Sequence, residues 1–145
     1  MMHLLRRFLQ SLSTREPSQS ETSKLRRLMS EGEFKLWSSM SASDRRHSMK
    51  VVDRFCGRLS DATADEVVGV ALHDVGKVAS NLGVFGRVVS TVVGPRTRRF
   101  AIYHDHESIG LGMLREVGSS NEVLAILDGS ARQSALNAFR WADDC

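Results

Sequence analysis

Rings, prolines and thiols are scarce in this chain. Only 6% of its 145 residues are aromatic, with a single tyrosine. That leaves too few faces for a platform on which single-stranded nucleic acid would stack. Two prolines leave long stretches free to form helix, and β-branched runs are short, so helix is the expected backbone. Cys56 and Cys145 form no CxxC pair and suit free thiols in a reducing compartment, so the expected location is the cytoplasm. No apolar run reaches the ~18 residues that would suggest a membrane span. A formal charge of +3 falls far short of the dense basic stripe of a dedicated nucleic-acid binder. A small phosphorylated molecule fits that balance better.

What is present is helical punctuation. Residues 3–12 form a basic amphipathic segment whose Leu4, Leu5, Phe8 and Leu9 can dock on the core or serve a homodimer. It lacks the apolar region and small-residue cleavage site of a signal peptide. The polar stretch 13–22, with Pro17, reads as a linker, which divides the chain into 1–22 and a single domain over 23–145. Two short helices are expected on either side of Gly32, anchored by Leu25, Leu28, Met29, Phe34, Trp37 and Met40. A longer one begins behind Ser43 and Asp44 and ends near Leu59. The next opens with Thr63 three residues ahead of Glu66, the capping-box spacing, and runs through the stretch ALHDVGKVA. VFGRVVSTVVG, residues 84–94, would also suit a strand, but with no partner strand in sight it reads as a buried helix stopped at Gly94-Pro95. Further helices are expected over 104–117, closed by Gly118, and over 121–128 and 133–144. The fold class is all-α, a compact bundle of about five core helices plus short N-terminal ones.

Several polar residues interrupt the apolar stripes of these helices. Residues three, four and seven apart share a helix face. Asp74 lies seven after Val67, four after Val70 and four before Val78, with His73 beside it. His47 lies four before Val51 on the stripe of Phe55 and Leu59. His106 extends the row Ile109, Met113, Val117, and Asp143 continues Leu136 and Phe139. An unpaired buried carboxylate costs several kcal/mol or shifts its pKa. Histidines and aspartates directed inward together therefore call for a shared partner, and a divalent metal such as Mn, Fe, Co, Ni or Zn meets that need, with Mg also admissible.

LHDVGK, with a helical histidine upstream, YHDHE downstream and a terminal WADD, resembles the HD-domain superfamily of metal-dependent phosphohydrolases. The resemblance covers roughly residues 37–145. It implies an HD-domain helical bundle over the domain, with His47, His73, Asp74 and Asp143 as metal ligands. It further implies that Asp74 bridges two ions where two are bound, with His104 or His106 completing the second site. No GYP follows HDHE, which argues against the cyclic-dinucleotide-cleaving branch, and residues 126–133 lack the further histidine of several two-metal members, so the ion count stands at one or two. Catalytic roles fall to Asp74 and Lys77, the lysine neutralising phosphate charge. Arg45, Arg46 and Arg99 are candidate substrate clamps, since guanidinium binds phosphate through two hydrogen bonds. The implied activity is metal-assisted hydrolysis of a phosphomonoester or phosphodiester in a nucleotide-like substrate. The alternative is a non-catalytic module of the same fold that binds a nucleotide or a protein partner for regulation.

Overall fold

The computed structural model describes residues 15–78 and 106–145, and the expected helices at 3–12 and 84–94 lie outside them. The described residues form an all-α fold of seven helices. These are α1 (Gln19–Leu28), α2 (Glu31–Ser39), α3 (Ala42–Arg58), α4 (Ala64–Ala71), α5 (His106–Glu116), α6 (Asn121–Asp128) and α7 (Gln133–Asp144). None of them is long and apolar enough to cross a membrane.

Small hydroxyl residues set the starts. Ser18, Ser30, Ser41, Thr63 and Ser120 each accept a backbone N–H of the first turn through the side-chain oxygen. Three boundaries differ from the sequence expectation for this reason. Ser18 begins α1 inside the stretch read as a linker. Ser30, rather than Gly32, separates α1 from α2. Ser41 starts α3 two residues ahead of the expected cap. Leu28, an expected anchor, is exposed instead, while Leu25 and Met29 fill the core.

The centre of the fold is α4. Every residue from Glu66 to Ala71 is buried, and the helix packs against α3, α6 and α1. A helix apolar on nearly all sides belongs inside a bundle. Close approach to α6 depends on Gly69: a Cβ there would lie 2.8 Å from both Ile126 Cγ1 and the Val123 carbonyl oxygen. Outside α4, α7 packs along α3 and α5 along α6. Among the α5 residues whose burial is described, Gly110 and Leu114 are buried, and the expected stripe of Ile109, Met113 and Val117 lies only half-buried beside them.

Buried polar groups are paired with care. Glu33 closes its capping box on Ser30 N at 2.8 Å and also accepts from Ser119 Oγ at 2.7 Å. Glu66 does the same on Thr63 N at 2.9 Å and takes Arg132 Nε at 2.8 Å. Both glutamates thus start one helix and fasten a segment distant in sequence. In the interior, Trp37 Nε1–H donates to Ser48 Oγ at 2.9 Å.

Gly69→Ala should destabilise the protein by about 1–3 kcal/mol through overpacking, despite alanine's better helix propensity. At Gly57 on α3 an added Cβ meets nothing within 4 Å, so Gly57→Ala should be neutral or stabilise by up to about 1 kcal/mol. Urea denaturation of the two variants checks both signs.

Candidate metal centre

The α4 helix ends before the LHDVGK stretch is complete. Leu72 leaves the helical region (φ −101°, ψ 6°), and the chain tightens to three-residue hydrogen bonds. Val75 N donates to Leu72 O at 3.0 Å, and Lys77 N to Asp74 O at 3.0 Å. His73 and Asp74 therefore sit on a turn after α4 and not within a continuous helix as the periodicity suggested, yet both are buried. At this helix end the Val70 carbonyl accepts the backbone N–H of His73 at 3.4 Å and also the ring Nδ1–H of His73 at 2.6 Å, so backbone and side chain of one residue close the last turn.

That bond assigns the tautomer. With the proton of a neutral ring on Nδ1, the Nε2 lone pair faces inward. It lies 3.3 Å from Asp74 Oδ2 and 3.3 Å from Asp143 Oδ1. Both are ion-pair contacts without hydrogen-bond alignment, and among the described residues Nε2 of His73 is the one buried side-chain polar atom without a hydrogen-bond partner. His47, from the first half of α3, places its Nε2 3.1 Å from the same Asp143 oxygen. Single donor atoms of His47, His73 and Asp74 all lie within 4.8 Å of one another, as a metal ion requires. Lys77 Nζ donates to Asp74 Oδ2 at 3.1 Å from the outer side.

Three surrounding contacts hold these groups in place. The Trp37–Ser48 bond pins α3 one residue past His47. Phe139 packs edge-on against the His73 ring, with centroids 5.0 Å apart. Arg54, seven residues after His47 and so on the same face of α3, donates to the carbonyls of Ala142 at 3.3 Å and Cys145 at 3.1 Å. It thereby fastens the end of α7 that carries Asp143. The i, i+7 spacing from His47 was a legible signal for Arg54, although its partners were not.

Charge is concentrated here. Burial works against a charged His73, but the Asp143 and Asp74 carboxylates outweigh it and raise the ring's pKa to about 10. Burial likewise opposes ionisation of Asp74, and the His73 ring and Lys77 overcome it, holding the carboxyl well below its ordinary range. His47 and His73 do the same for Asp143, against a smaller effect of burial. The cluster is a place where positive charge is wanted.

A cleft of about 370 Å³ opens onto it, with His73, Asp74 and Asp143 at one end and Ile126, Leu127, Leu136 and Phe139 along an apolar wall. Arg140, which drew no attention in the sequence, also lines it. The expected arginine clamps lie elsewhere. Arg45 pairs with Glu16, donates to Met40 O at 3.0 Å and lies over the Trp37 ring. Arg46 donates to the Arg15 carbonyl. Both are turned to the segment before α1 because its carboxylate and carbonyl reach them first. Arg99 and His104 lie outside the described residues, and His106 is the first residue of α5. Comparison with protein-family models, curated proteins and solved structures yields no match.

The histidine and aspartate shifts set opposite limits on stability in chelator. A pKa raised from 6.5 to about 10 stabilises fully below pH 6.5 and ceases to do so as pH rises toward 10. The lowered aspartates stabilise above their ordinary value of 3.8 and lose that effect in more acid solution. Stability should therefore decline on the alkaline side between pH 6.5 and 10, and this decline should flatten in His73→Gln. Equal melting temperatures across that window in the unsubstituted protein would contradict the arrangement.

Proposed function

We propose that this chain is a metal-dependent phosphohydrolase of HD-domain type acting on a small, nucleotide-like phosphoester. The observation that carries the reading is the buried Nε2 of His73, without an aligned hydrogen bond and set between two carboxylate oxygens at 3.3 Å with His47 alongside. In the metal-free protein a proton on that nitrogen balances the two carboxylates, which is why the ring's pKa is raised. A divalent cation held by His47, His73, Asp74 and Asp143 would replace that proton and meet both carboxylates without demanding the alignment of an N–H bond. Mixed nitrogen and carboxylate donors suit Mn, Fe, Co, Ni or Zn.

When bound, such an ion supplies Lewis acidity toward a phosphoryl oxygen and makes a nearby water more acidic. The chain's own residues do the remainder. The Nδ1–Val70 bond holds the His73 ring so that Nε2 faces the ion, the arrangement that outer hydrogen bonds commonly enforce in metal sites. Lys77 buffers the Asp74 charge and, with its side chain 37% exposed, can reach phosphate entering from the open side. The apolar wall of the cleft suits the body of an organic phosphoester, such as a nucleoside or another flat ring.

Calorimetric titration with Mn²⁺, Ni²⁺ and Zn²⁺ tests the reading, followed by a screen of nucleoside monophosphates, cyclic nucleotides and p-nitrophenyl phosphate. About one or two equivalents should bind. The double variant His73→Ala/Asp74→Ala should weaken binding by more than the roughly 10–100-fold typical of outer-shell partners, while Arg54→Ala, which frees the end of α7, should cost about 10-fold. Absence of binding by all three metals would overturn the proposal. Metal and nucleotide binding without turnover would replace the enzyme by a regulatory binding module.

A further inference from the structure

Most arginines of the described residues are engaged within the fold. Arg45 and Arg46 hold the segment before α1, and Arg54 holds the end of α7. Arg132 bridges Asp61 and Glu66, while Arg26 and Arg58 lie over the rings of Phe34 and Trp141. Arg140 differs from these. It is exposed on α7, lines the cleft that ends at His73, Asp74 and Asp143, and makes no hydrogen bond, ion pair or ring contact among the described residues. It stands one turn before Asp143 on the same helix face, where an ion pair would be easy. Asp143 turns instead to the two histidines.

An exposed arginine by itself signifies little; the charge of this cleft gives it meaning. Asp74, Asp128 and Asp143 line the cleft, against Arg140 and the His73 ring. Asp128 is held at the rim by Ser130, whose N–H donates to Oδ1 at 2.8 Å. The carbonyl end of α6 faces the same space through Ile126–Gly129 and adds partial negative charge. Lys77, 3.1 Å from Asp74 Oδ2, and the His73 ring between Asp74 and Asp143 offset part of this charge. An entering anion still faces Asp128 and the carbonyl end of α6 until a cation occupies the cluster. Once that charge is offset, the guanidinium of Arg140 presents paired donors whose spacing matches two oxygens of a phosphate.

We infer that Arg140 is the anion anchor of this cleft, gripping the phosphate of the substrate, and that it does so only when a divalent cation sits on the His47, His73, Asp74 and Asp143 cluster. The inference rests on the metal reading above and adds a substrate-positioning residue and an order of binding, cation first and phosphate second.

Titration of inorganic phosphate into the full chain, with Mn²⁺ and with chelator, tests this in the wild type, Arg140→Gln, Arg140→Ala and Arg140→Lys. Because Arg140 is exposed and unpaired, the variants should melt like the wild type and bind Mn²⁺ within about twofold of it. Phosphate should bind the Mn²⁺-loaded wild type and not the chelated protein. Arg140→Gln and Arg140→Ala should each weaken phosphate binding by about 10- to 100-fold, the range for a hydrogen bond to a charged group. Arg140→Lys should fall between, since an ammonium keeps the charge but not the paired donors. If Arg140→Gln failed to fold, Arg140→Ala, favoured by helix propensity, would decide alone. Unchanged phosphate affinity in the Mn²⁺-loaded variants would overturn the role of Arg140 and leave the metal reading standing. Equal phosphate binding in chelator, or none by the Mn²⁺-loaded wild type, would also overturn the inference. Failure of the wild type to bind Mn²⁺ would remove the metal reading and the inference together.

Discussion

The hydrogen bond from His73 Nδ1 to the Val70 carbonyl is the constraint on which the candidate site depends. It serves two ends at once. On one side it adds a side-chain donor to the Val70 carbonyl, which the His73 backbone N–H reaches only at 3.4 Å, and so reinforces the last turn of a short buried helix. On the other it turns Nε2 toward Asp74 and Asp143 and fixes which nitrogen carries the proton in the neutral ring. The fold then brings a second histidine to the same oxygen, because α7 lies along α3 and Arg54 ties the end of one to the flank of the other.

Elsewhere the protein shows how thoroughly it pairs buried polar groups. Glu33 and Glu66 each close a helix start and receive a second donor from a remote segment. Ser48 and Trp37 satisfy one another in the deepest part of the core. Against that background Nε2 of His73 stands apart, at the end of a cleft and between two acids without an aligned hydrogen bond to either. Unsatisfied buried groups in native proteins concentrate where a ligand, ion or reaction completes them.

The charge of the whole chain says little about the sign of this cleft. A formal +3 suggested attraction for phosphates, and the arginines flanking His47 looked available for it. In the fold Arg45 and Arg46 are turned to Glu16 and Arg15, and the cleft itself is lined by three aspartates. Local potential is set by which groups face a concavity and not by their sum.

The sequence by itself determined the helical class, the starts of α4, α6 and α7 and the inward direction of His47 and Asp143. These follow from local physics: a hydroxyl three residues before a free N–H makes a cap, and a 3.6-residue period carries a residue to the face of its apolar neighbours, whereas Asp74 reaches the interior on the turn after α4. The start at Ser18 was equally local, since Glu21 follows it at the capping spacing, and was masked only by the polar surroundings. Only the tertiary structure decided where α4 would stop, since nothing in ALHD breaks a helix and the Asp143 and Phe139 that surround the His73 ring come from α7. It also decided the partners of Arg45, Arg54 and Arg140, because a long charged side chain bonds to whatever the packing of distant helices places within its reach, and sequence spacing carries no information about that distance.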